Sequence, residues 1–134
     1  MTQTQALFRT AQKSIKHLEG RNFIDGSLVT TAAKKTFEVI YPATGEIISR
    51  AAASETEDVG RAIEAAAKAY PAWAALGGKE RGKLLARCAN LIAEHKEELA
   101  QIITLETGKA IRTESRLELG ATIDILQFFS GLGY

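Results

Sequence analysis

Cys88 is the only thiol in the chain, and so the only residue able to act as a thiolate nucleophile. Leu84, Leu85, Leu91 and Ile92 lie around it at helical spacing, which predicts a place on a buried, apolar face. Such surroundings raise a thiol's pKa and leave it inert, and free cysteine is among the most buried residue types. The spacing therefore reads Cys88 as a packing residue. A lone cysteine also excludes an intramolecular disulfide, a Cys-rich zinc site and a CxxC redox pair, and points to a reducing, cytoplasmic setting. His17 and His95 form neither HxxxH nor HxH, the spacings that put two imidazoles on one metal. Each sits among helical charges and reads as a solvated or half-buried helix residue. Gly108-Lys109 resembles the end of a phosphate-binding loop, but Ile103 and Ala110 stand where Gly and Ser or Thr are required. Gly77-Gly78 and Gly131-Leu132-Gly133 lack the remainder of GxGxxG and its strand-to-helix setting. Glu55, Glu57 and Asp58 read as acidic residues at the positive end of a helix rather than as a cation site.

The elements that must position these residues change character part-way along the chain. Leu7, Phe8, Ala11, Ile15 and Leu18 have helical spacing and predict an amphipathic helix from about Thr4 to Leu18, stopped by Gly20. FIDGSLV places Asp25-Gly26 between apolar pairs, a tight-turn signal. Phe37, Val39 and Tyr41 alternate as in a strand, Pro42 to Gly45 supply a turn, and Ile47-Ile48 begin another strand. The start of the chain thus predicts two or three short strands. Ser54 and Glu57 have the spacing of a capping box. The helix that follows carries a stripe of Val59, Ile63, Ala66, Ala67 and Tyr70, expected to be buried, and is closed by Pro71 and the glycines at 77–78. A second helix runs from near Lys79 to Thr107 with a bend near His95, and Gly108 ends it. A third runs from about Ala110 to Ser130. The second half of that helix, with Ile123, Ile125, Leu126, Phe128 and Phe129, is apolar all round, a pattern that demands cover on every side.

Bulk composition bounds the class. The 134 residues are 46% hydrophobic and 25% charged, with a net charge of +1, enough for one domain with a core. That balance gives no electrostatic reason to expect nucleic acid or an anionic membrane as partner. No apolar run has the length of a membrane span, and the first residues lack the pattern of a secretory signal. The residues alone describe an α+β protein with no assembled catalytic constellation.

The order of motifs adds a resemblance. FIDGSLV, KTFEVIYPATGEII, ETEDVGRAIEAAAKAYPAWAAL, KERGKLLARCANLIAEHKEELAQIITLETGKA and LQFFSGLG, in one collinear run over about residues 22–134, resemble the start of an NAD(P)-dependent aldehyde dehydrogenase. YPATGE and LETGK are the most specific parts; Tyr41 stands where the family usually has Asn, and Ala110 where Pro often follows the lysine. The resemblance implies a partial piece of the family's α/β Rossmann-like cofactor-binding domain over residues 21–134, with 1–20 as a helical extension. It implies oxidation of aldehydes to carboxylic acids in the full-length enzyme, with NAD or NADP as cofactor. The nucleophilic cysteine, the activating glutamate and the cofactor residues are implied to lie downstream, so no catalytic or cofactor-binding residue is carried over, and Cys88 does not match the nucleophile. One metal position is implied: Glu106, with the carbonyls of Val39 and Ile40, as ligands of a monovalent cation, an oxygen set that suits a hard ion. The residues alone read Glu106 instead as a cap or ion-pair partner near its helix end. The implied partners are the remainder of an aldehyde dehydrogenase chain and further copies in a homo-oligomer; for these residues alone, no bound cofactor and no activity are expected. The alternative is a non-catalytic module that self-associates through its apolar last helix.

Overall fold

The computed structural model describes residues 8–132. The chain divides into two compact units, Met1–Pro71 and Ala72–Tyr134.

The first unit opens with helix α1, Arg9–Leu18; the expected start at Thr4 and Leu7 of its stripe lie outside the described residues. Ala11 is fully buried, whereas Leu18 is exposed. Gly20 adopts φ 65°, and its N–H donates to the Arg50 carbonyl at 2.8 Å, turning the chain into the strands. There are four strands among the described residues, in two antiparallel pairs. Strands β1 (Arg21–Ile24) and β2 (Ser27–Thr30) pair in the register Asn22↔Val29 and Phe23↔Leu28. Asp25 and Gly26 join them with φ of 51° and 74°, the two positive values that a type I′ turn requires. Strands β3 (Thr36–Ile40) and β4 (Ile47–Ala52) pair with an irregularity between Val39 and Ile40. Their turn is closed by Tyr41 N–H donating to the Glu46 carbonyl at 2.9 Å and Gly45 N–H to the Tyr41 carbonyl at 2.8 Å. Arg50 and Glu38 pair across the strands at 2.7 Å.

Helix α2, Thr56–Ala75, starts in this unit. Two expectations fail on it. Pro71 does not end it: the helix runs on to Ala75, just before Leu76 and the glycine pair. Its apolar stripe is not buried either, since Val59, Ile63 and Tyr70 are all more than half exposed. Two-stranded ladders are too narrow to form the broad face against which such a helix buries a stripe.

The second unit holds α3 (Gly78–Glu94), α4 (Lys96–Thr107), a π-helical turn (Ile111–Ser115) and α5 (Arg116–Gly131). The bend expected near His95 is a break, with His95 at φ −101° and ψ 12° between two separate helices. Gly108 ends α4 in the left-handed conformation at φ 74°, and its N–H donates to the Thr104 carbonyl at 2.9 Å, as helix-terminating glycines do. The start expected at Ala110 is the π turn, where Glu114 accepts a hydrogen bond from the Ala110 N–H at 3.1 Å. Ala89, Ala100, Leu105, Leu119 and Ile123 form the buried apolar core of this unit.

The buried edge of α3 differs from expectation. Gly82 and Ala89 are buried, whereas Leu84, Cys88 and Leu91 are exposed. A methyl group added at Gly82 would lie 2.3 Å from the Ser130 carbonyl oxygen. Small residues thus let the backbones of α3 and α5 approach closely, and the larger side chains of α3 turn away from that contact.

Candidate functional site

Asp58 is the most highly connected carboxylate of the first unit. It is only 1% exposed. Its Oδ2 accepts the Glu55 N–H at 3.0 Å, and its Oδ1 accepts the Ala32 N–H at 2.9 Å and an Arg61 Nη2 proton at 2.5 Å. The Glu55 amide, then the Ala32 amide, hold its pKa below the ordinary carboxylate value against the opposing effect of burial, with Arg61 adding to them. Lys35 pairs with Glu55 at 2.5 Å, and Thr31 Oγ1 donates to the Lys35 carbonyl at 3.4 Å. Residues 31–35 are thereby tied to the start of α2. The capping geometry is shifted by one residue from the Ser54 and Glu57 pairing. With the helix starting at Thr56, Asp58 is its third residue and reaches back to the residue before the helix. Ser54 Oγ instead accepts a hydrogen bond from Asn22 Nδ2 at 2.9 Å. Two open clefts flank this node. One, of about 330 Å³, lies between the Asp25 turn and Arg61, Glu64 and Lys68 of α2; the other, of about 220 Å³, reaches Asn22, Ser54 and Asp58.

In the second unit, the residues after LETGK are braced by polar contacts. Thr104 Oγ1 and Ser115 Oγ lie 2.9 Å apart and both are buried. Arg116 grips Glu97 with two hydrogen bonds, at 2.9 and 2.8 Å, which lowers the Glu97 pKa. Lys109 pairs with Glu118. The lysine that suggested a phosphate loop is therefore a structural ion-pair partner.

The remaining candidates do not assemble into a catalytic group. Cys88 is exposed on α3, which corrects the expectation of a buried packing residue. His95 Nδ1 faces Glu98 Oε2 at 3.4 Å, and His17 is exposed in the last turn of α1. Glu106 is exposed in the last turn of α4 and makes no hydrogen bond or ion pair among the described residues, so neither the cap nor the ion-pair role is seen. Val39 and Ile40 flank the irregularity of β3 in the other unit. Among the described residues no group of three or more His, Cys, Asp or Glu side chains is placed to hold a metal ion. No described helix is long and apolar enough to cross a membrane.

Residues 29–134 match the model of the aldehyde dehydrogenase family. The chain belongs to the aldehyde dehydrogenase family. Betaine aldehyde dehydrogenase 1 of Rhizobium meliloti is 42% identical over 111 residues, which are 83% of this chain and 23% of that relative. Among solved structures, HpcC from Thermus thermophilus superposes with a TM-score of 0.88 at 29% identity, over 95% of this chain and 24% of its own. Betaine aldehyde dehydrogenase from Staphylococcus aureus, solved in complex with NAD+, gives a TM-score of 0.86 at 35% identity, over 94% of this chain and 25% of its own. The chain thus spans about a quarter of the length of the aldehyde dehydrogenases it matches, and what it matches is their amino-terminal part. The mixed α+β architecture and the resemblance carried by YPATGE and LETGK are borne out together.

Sequence reasoning missed four residues in this aldehyde dehydrogenase segment. The sequence marks Asp58 only as a charge on the helix dipole, although an acidic residue at the third position of a helix is the signal for its capping role. The Thr104 and Ser115 pair had no sequence signal, since its partners come from different elements. Gly82 carried no mark distinguishing it from any other glycine in a helix.

Proposed function

We propose that this chain is the amino-terminal segment of an NAD(P)-dependent aldehyde dehydrogenase and that its role there is scaffolding. The family match across residues 29–134 carries the reading, and the superposition on relatives solved with NAD+ supports the cofactor class. The full-length enzyme would oxidise an aldehyde to a carboxylic acid, with water supplying the added oxygen. A bound nicotinamide supplies the hydride acceptor for that reaction. The residues of this chain do other work: Asp58 fixes residues 31–35 to α2, and Arg116 with Glu97 fixes α4 to α5. Residues 21–134 would begin the cofactor-binding domain, with 1–20 as an extension, and the setting would be cytoplasmic. Glu106, an exposed carboxylate without a protein partner among those described, suits a potassium ion by donor type; absence of anomalous signal beside it in rubidium-soaked crystals of the full enzyme would remove it as a ligand.

The test has two arms. The 134-residue chain alone should yield no NADH from a panel of aldehydes, betaine aldehyde first because two of the relatives carry that name. Grafted into the Rhizobium meliloti relative in place of the matching segment, it should support NADH production. An inactive graft that folds, or an active free chain, would refute the scaffold reading.

A further inference from the structure

Helix α1 is fixed to both ends of the hairpin formed by β3 and β4. At one end the Phe8 ring, just before the helix, meets the Tyr41 ring with centroids 6.3 Å apart and planes inclined at 60°, within the range of favourable aromatic pairs. Both residues are half-buried. Tyr41 is also the residue whose backbone closes the turn. Its N–H donates to the Glu46 carbonyl at 2.9 Å, and its carbonyl accepts the N–H of Thr44 at 3.2 Å and of Gly45 at 2.8 Å. At the other end the Gly20 N–H donates to the Arg50 carbonyl of β4. A methyl group added at Gly20 would lie 3.2 Å from Thr36 Cγ2, on the first residue of β3. Between these anchors Ala11 is fully buried. The lengths agree. The ten residues of α1 rise about 15 Å, and the stretch of chain from Glu46 to Arg50 spans roughly 13 Å.

We propose that α1 is a strap, and that seating Phe8 on Tyr41 holds the turn at 41–46 closed. A two-stranded hairpin is marginal in water by itself. Phe37, Ile40 and Ile47 of this one are all about half exposed, so its own large side chains leave it little burial. The strap supplies from outside the strands what the ladder lacks. The ring that Phe8 touches belongs to the residue that accepts or donates each backbone hydrogen bond named for the turn, so the aromatic contact and the turn geometry share one backbone position. Because a single short helix joins the two anchors, releasing Phe8 also loosens the Gly20 end. The proposal concerns this chain by itself and goes beyond the scaffold reading, whose failure would leave it standing.

Hydrogen exchange on the 134-residue chain, followed amide by amide by nuclear magnetic resonance, tests the strap. Phe8→Ala should speed exchange at the Tyr41 and Gly45 amides, and also at the distant Gly20 amide, by about three- to tenfold, the factor that loss of an aromatic pair carries. Tyr41→Ala should do the same at Gly45 and Gly20. Tyr41→Phe keeps the ring and should leave both at the parental rates. The Ala32 and Gly108 amides, bonded to Asp58 Oδ1 and to the Thr104 carbonyl, are the references and should not change in any of the three variants. Parental exchange at Tyr41 and Gly45 in Phe8→Ala overturns the proposal. Equal acceleration at Ala32 and Gly108 also overturns it, because that pattern reports a general loss of stability. Faster exchange in the turn with Gly20 unmoved overturns the coupling of the two ends, and with it the strap.

Discussion

Replacing Gly82 by alanine sets two effects of similar size against each other. In a solvated helix the change stabilises by about 1 kcal/mol, because alanine loses less backbone freedom on folding. Gly82 is buried, and an added Cβ would lie 2.3 Å from the Ser130 carbonyl oxygen and 3.4 Å from its carbonyl carbon. Carbon and oxygen rest at about 3.3–3.6 Å, so the two backbones must separate by roughly 1 Å. The obstructing atom is backbone and cannot swing aside as the tip of a side chain would. Overpacking of this kind costs about 1–3 kcal/mol. Subtracting the propensity gain leaves a net loss of about 1 kcal/mol, opposite in sign to what helix propensity alone predicts.

Gly120 of α5 is the control within the same unit. A Cβ there would lie 3.4 Å from Lys96 Nζ, the far end of a flexible side chain, so Gly120→Ala should keep most of the propensity gain. Gly60 in α2, with nothing within 4 Å of its added Cβ, is the control in the other unit. Urea unfolding followed by far-ultraviolet circular dichroism reads the difference. A gap of about 2 kcal/mol between G82A and G120A, at a slope of about 2 kcal/mol per molar urea, separates their midpoints by about 1 M. A G82A midpoint equal to or above that of G120A would refute the close approach of α3 and α5.

Asp58 makes stability depend on pH. Its pKa is lowered in the folded chain, so its contribution is present above the ordinary carboxylate pKa and is lost as pH falls through the lower folded value. D58N should lack that component of acid unfolding and should speed hydrogen exchange at the Ala32 amide; an unchanged acid limb in calorimetry would contradict the assignment. Thr104→Val should cost about 1–3 kcal/mol by leaving the buried Ser115 hydroxyl unpaired. The double change T104V/S115A should then cost less than the sum of the single changes, and additivity in a double-mutant cycle would dispose of the pair.

Features set by one or two residues were legible in the sequence. Asp25-Gly26 dictates its turn because few other residue pairs take two positive φ angles cheaply. Gly108 ends α4 for the same reason, and the change from alternation to helical spacing after Ser54 marks the passage from strands to helices. Legibility failed where a distant element decides the outcome. Which side of α3 faces inward depends on where α5 approaches, and α5 meets it at Gly82, a residue with no side chain to signal burial. Large apolar side chains at helical spacing point instead to Leu84, Cys88 and Leu91, which are exposed.

The stripe on α2 failed in a different way. Val59, Ile63 and Tyr70 do line one face at helical spacing, yet all three are exposed. Hydrophobic periodicity reports what a helix is patterned to bury, and burial also needs a partner surface. Here the strands of the same unit form two separate two-stranded ladders, and neither provides one. The relatives carry about four times this chain's matched length. The apolar face of α2 is thus patterned for a partner surface that the strands of its own unit do not supply. An exposed stripe with intact periodicity is then a stronger indication of a missing partner than any single exposed residue. Chance exposure would scatter around the helix, whereas selection for burial leaves the residues in register along one face.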